Sequence, residues 1–108
     1  MDLLTDVDQR RSAALQRLAA VTGDAGVCAV TKSGQAFPAA KFHEGAVAAL
    51  GEVRRSLRRA GGQPNSVVGA VLGEWLDRQS VAAERGVDWR AYTSGGVEEL
   101  RLLQADWR

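Results

Sequence analysis

The chain has 108 residues, 45% of them hydrophobic and 25% charged, with 14 Lys and Arg against 13 Asp and Glu and a net charge of +1. Wholesale disorder is excluded, because it needs low hydrophobicity and high net charge, and the strong basic excess of a typical nucleic-acid binder is absent. Cys28 is the only cysteine, which excludes an intramolecular disulfide framework and fits a reducing compartment.

The opening Met1-Asp2-Leu3-Leu4-Thr5-Asp6 lacks the basic-then-apolar order of a secretory leader. No apolar run approaches the roughly 18 residues that a membrane span needs. The expectation is one cytoplasmic domain over residues 1–108.

Residues 2–22 read as a helix. Leu4, Val7, Arg11, Ala14, Leu15, Leu18 and Val21 recur at helical spacing as one stripe. Asp2, Asp6 and Asp8 put negative charge where the helix dipole favours it, and Thr5 with Asp8 has the spacing of a short capping pattern. Arg10 lies four residues after Asp6, and Gly23 is a natural stop.

Val27-Cys28-Ala29-Val30-Thr31 is short, apolar and partly β-branched, and Ser33-Gly34 follows as a turn signal. The sequence predicts a β-hairpin here, returning over residues 36–42, with Pro38 confining the second strand to an edge. A free hairpin edge needs covering, by helices or by a second copy of the chain.

Residues 43–60 predict a second helix. Ala46, Leu50, Val53, Leu57 and Ala60 form its apolar face, and Arg54, Arg55, Arg58 and Arg59 lie on the far side. Gly61-Gly62 ends it. A third helix begins near Asn65 or Ser66, either of which could cap it, and ends near Gly86. Its stripe is Val68, Val71, Leu72, Trp75, Gln79 and Ala82, with Glu74 and Arg78 as an i,i+4 pair. The short link predicts an antiparallel αα-hairpin. Residues 87–92 read as an aromatic-bearing loop or single turn. Thr93-Ser94-Gly95-Gly96 reads as a break, and residues 97–107 as a short last helix. The fold class expected is α+β, predominantly helical: an N-terminal helix, one β-hairpin, an αα-hairpin and a short C-terminal helix.

The stretch from Leu18 to Leu57 resembles the front half of a roadblock-type domain, through Gly26-Val27-Cys28-Ala29-Val30, Ser33-Gly34 and the alanine-rich helix from Ala46 to Leu57. The resemblance implies a hairpin and helix that pair across a dimer axis. It stops where that family adds further strands and this chain adds helices.

Chemistry-bearing motifs are few. Metal-ligand spacings and phosphate-loop fingerprints are missing, so no cofactor and no catalytic residue is assigned. Cys28 and His43 would make a thiol enzyme only if the hairpin folded onto the helix start. The basic face of Arg54, Arg55, Arg58 and Arg59 reads first as a solvated helix end. It could also contact phosphate or an acidic partner. Trp89, Arg90 and Tyr92 combine the residue types enriched in interface hot spots. The function expected is a small non-enzymatic protein-interaction domain, adaptor or regulatory, self-associating as a homodimer. The alternative is a nucleic-acid-binding regulator using the basic face of the helix at 44–60, and the third is the thiol enzyme. No membrane partner is expected.

Overall fold

A computed structural model describes residues 1–23, 37–59 and 63–107. They form four helices: α1 (Leu3–Thr22), α2 (Pro38–Arg59), α3 (Pro64–Ala82) and α4 (Val87–Asp106). There is no strand among the described residues, and no described helix is long and apolar enough to cross a membrane.

The hairpin expectation is overturned. Its first strand, Val27 to Thr31, and the Ser33-Gly34 turn lie outside the described residues. The return strand fails because residues 38–42 are the first turn of α2. Pro38 opens that helix, where its fixed φ is suitable and its missing N–H would have had no partner anyway. Lys41 N–H then donates to the Phe37 carbonyl at 3.1 Å. With the return strand goes the expected α+β class. The described fold is all-helical.

The first helix forms where its pattern puts it. Asp2 is the N-cap, accepting from Thr5 N–H at 2.7 Å. Hydrogen bonding from Thr5 holds the Asp2 carboxyl below its ordinary range, outweighing the opposing effect of desolvation. Gly23 ends α1 at a positive φ of 58°. The stripe is shifted, however. Leu3, Val7 and Ala14 are buried while Leu15 is exposed.

The last helix differs most. Residues 87–92, the expected break at 93–96 and the short helix after it are one continuous helix, α4. Gly95 and Gly96 are buried inside it. Each costs about 1 kcal/mol of helix propensity relative to Ala, and packing explains why they are there. A Cβ on Gly95 would overlap the Phe42 carbonyl of α2, and one on Gly96 would stand 2.9 Å from Cδ2 of the Trp75 indole. Gly45 returns the relationship, since its Cβ would overlap the Tyr92 carbonyl.

Side-chain pairings fix the helix directions. Asp8 and Arg11 of α1 meet Arg54 and Gly51 of α2, and Arg10 and Arg17 meet Asp106 and Glu99 of α4. Trp75 and Gln79 of α3 meet Gly96 and Ser94 of α4. Arg59 and Val67 line the same groove as Glu52 and Arg78 farther from the α2–α3 link. The chain therefore runs up, down, up and down, with α2 and α4 pointing the same way. These two like-directed helices make the closest approach, through Gly45 and Gly95. One core draws on all four helices, including Leu3, Val7, Leu50, Val53, Val68, Trp75, Leu100 and Leu103.

Candidate functional site

Because α2 and α4 run the same way, their N-terminal ends lie together. Asp88, in the first turn of α4, accepts from Phe37 N–H at 3.0 Å and so ties the start of α2 to the start of α4. Between these ends is a cleft of about 370 Å³ lined by Lys41, Glu44, Asp88, Trp89 and Tyr92.

Three aromatic rings lead from the cleft into the core. Trp89 is 49% exposed and meets Tyr92 edge to face, 5.8 Å between centroids at 78°. Tyr92 in turn leans on Trp75 at 5.3 Å and 35°. Trp75 is fully buried, and its indole N–H donates to Glu52 Oε2 at 2.8 Å. Aromatic pairs in such tilted and edge-on arrangements add about 0.5–1.5 kcal/mol each beyond their buried area. The exposed indole is thus mounted on a rigid support. Arg85 covers part of it, with its guanidinium 5.7 Å from the ring centroid.

Charge borders the rings. Lys41 Nζ lies 3.2 Å from Glu44 Oε2, as an ion pair one helical turn apart that lacks hydrogen-bond alignment. Burial raises the pKa of the Tyr92 phenol above its ordinary value. The nearby Glu44 and Glu52 carboxylates push it the same way, and Arg78 opposes them. Tyr92 therefore stays a neutral hydrogen-bonding group throughout the physiological range.

Of the expected interaction trio, Trp89 and Tyr92 share this cleft, whereas Arg90 is exposed and does not line it. The basic face does not act as one surface. Arg54 is drawn to α1, where its Nε donates to Asp8 at 2.7 Å. Arg55 and Arg59 line the groove between α2 and α3, and Arg58 is exposed. The expected Glu74–Arg78 pair gives way to a cross-helix bond, Arg78 to Glu52 at 3.0 Å. His43 packs edge-on against Phe42 at 5.6 Å, and its Nδ1 is buried without a hydrogen-bond partner among the described residues. Cys28, its expected dyad partner, lies outside the described residues.

No group of three or more His, Cys, Asp or Glu side chains among the described residues could hold a metal ion. Sequence reasoning missed Lys41, Glu44 and Asp88. Lys41 and Glu44 stand three residues apart, a facing pair on a helix, but that signal is hidden once residues 36–42 are read as a strand.

No family model, curated protein or solved structure matches the chain.

What the molecule does must then be read from its own side chains. The lining of the cleft includes no hydroxyl or thiol nucleophile hydrogen-bonded to a base among the described residues. It offers a half-exposed indole on a stiff aromatic stack, rimmed by paired charges. Trp and Tyr are among the residue types enriched at interface hot spots.

Proposed function

We propose that the chain is a small protein-interaction domain, adaptor or regulatory in role, which captures a segment of a partner protein in the cleft at the N-terminal ends of α2 and α4. The observation that carries this reading is the exposure of Trp89 at 49% on top of the fully buried Trp75, with Tyr92 between them. Leaving a large indole half in water forgoes burial worth about 25 cal/mol per Å² of apolar surface. A partner's apolar side chain recovers that burial, and the rigid stack lowers the entropy lost in ordering the anchor.

The partner proposed is a different protein rather than a second copy, because no sheet edge of the kind that motivated self-association occurs among the described residues. The lone cysteine suits a reducing compartment, and we place the interaction in the cytoplasm. Two measurements on the full chain test the reading. Light scattering should give a mass near 11.5 kDa at all concentrations, and a mass near twice that would replace the foreign partner by a second copy. Random-peptide display against the chain should enrich sequences with an apolar anchor. A failure to enrich any binder would overturn the docking cleft.

A further inference from the structure

Gly51 of α2 is buried. Two arginines cover it. Arg55 Nη1 lies 3.5 Å, and Arg11 Nε 3.8 Å, from the point that a Gly51 Cβ would occupy. Two guanidinium groups from different helices, one in α1 and one in α2, are thus held within 4 Å of a single point. Arginine is always protonated in proteins, so both groups are charged.

No carboxylate among the described residues lies within ion-pair distance of either, although Arg55 shares the α2–α3 groove with Glu52 and Glu74. Neither Arg11 nor Arg55 forms an ion pair there, while Arg10, Arg17, Arg54 and Arg78 each do. Asp8, one turn before Arg11, is committed to Arg54. That bond also clamps α1 to α2 beside the pair and fixes the approach of the two like charges. The sequence pattern had placed Arg11 in the apolar stripe of α1. In the fold it points across to the neighbouring helix.

Converging cations without a counterion repel one another, and an anion between them removes that cost. The guanidinium fork matches the oxygens of phosphate with two parallel charge-assisted hydrogen bonds. The missing side chain at Gly51 leaves the floor beneath the two forks bare. We propose that Arg11 and Arg55, over Gly51, form a phosphate-binding niche separate from the aromatic cleft.

The test uses the full chain with ¹⁵N-labelled arginine and compares inorganic phosphate with chloride at equal ionic strength. Phosphate should shift the Arg11 and Arg55 Nε–H signals in a saturable way and raise the melting temperature, and chloride should do neither. Arg11→Gln and Arg55→Gln should each weaken phosphate binding at least tenfold. Arg55→Glu should abolish binding and yet melt higher than the parent in chloride, because it turns a repulsive pair into an attractive one. A short DNA duplex at the same phosphate concentration identifies the source. Tighter binding than free phosphate, lost in Arg55→Glu, assigns the niche to a nucleic-acid backbone, and weaker binding assigns it to a phosphate monoester or free phosphate. Equal effects of chloride and phosphate, or undiminished binding by Arg11→Gln and Arg55→Gln, would overturn the niche.

Discussion

Gly45 meets Tyr92 so closely that a Cβ on the glycine would stand 2.8 Å from the tyrosine's carbonyl carbon. The reciprocal contact, Gly95 against Phe42, puts the two backbones in touch on both sides of one crossing. This crossing sets the spacing of the two helix N-termini, and hence the width of the cleft that holds Trp89. Because the obstruction is main chain rather than a flexible side chain, an added methyl group has nowhere to go. Gly45→Ala and Gly95→Ala should each cost about 3 kcal/mol or more, the upper end for overpacking. Gly73, exposed in the middle of α3 with nothing within 4 Å of its would-be Cβ, makes the control. Gly73→Ala should stabilise by about 0.5–1 kcal/mol through helix propensity alone. Urea denaturation midpoints of the three variants check the opposite signs.

Glu52 ties α2 to α3 through two bonds. One oxygen accepts from the Trp75 indole and the other from Arg78, whose guanidinium also lies 4.9 Å over the Trp75 ring. Glu52→Ala would leave a buried indole N–H without its acceptor, at a cost of about 1–3 kcal/mol. Glu52→Gln keeps an acceptor for Trp75 and should lose less. The Trp75 indole proton resonance and the denaturation midpoint should move together in Glu52→Ala, and a silent resonance would contradict the assigned bond.

The raised pKa of Tyr92 makes stability depend on pH in the alkaline range. In the unfolded chain a tyrosine ionises near pH 10, and in the fold burial, with Glu44 and Glu52, holds the proton longer. Below that pH both states keep the proton, and the contribution is fully present. As pH rises through the unfolded and then the folded value, the unfolded chain releases its proton first and stability falls. Tyr92→Phe should therefore flatten this part of the stability profile above about pH 10. An unchanged alkaline slope in Tyr92→Phe would show that the phenol is not buried as described.

Legibility in the sequence followed the physics of each element. The third helix was the plainest, since Val68, Val71, Leu72, Trp75 and Ala82 are all buried at the spacing that their pattern gives. Its start was misplaced by one or two residues, because Pro64 opens the helix with Gln63 as an N-cap that makes no side-chain bond. Pro38 was misleading in the same way, as a helix-opening residue that resembles an edge-strand residue when seen alone. Gly95 and Gly96 read as a break because their role is tertiary. Only the approach of Phe42 and Trp75 gives a helix reason to carry two adjacent glycines. Within the candidate site, Trp89 and Tyr92 were visible by residue type. Lys41, Glu44 and Asp88 became visible only once α2 and α4 were placed side by side. The pairing of Arg11 with Arg55 spans two helices, and no local pattern reports it.

The proposed docking role turns on Trp89, and one comparison tests it most directly. A peptide enriched on the full chain is labelled, and its affinity is measured by fluorescence anisotropy for the parent, Trp89→Ala and Arg90→Ala. Trp89 is half in water, so its truncation should leave the fold intact, with the circular dichroism spectrum unchanged. The account predicts that Trp89→Ala weakens the peptide by about 2 kcal/mol or more, roughly thirtyfold, as loss of a hot-spot anchor does. It also predicts that Arg90→Ala, outside the cleft, binds like the parent. Equal affinity for Trp89→Ala and the parent would contradict the assignment of the aromatic cleft as the docking site.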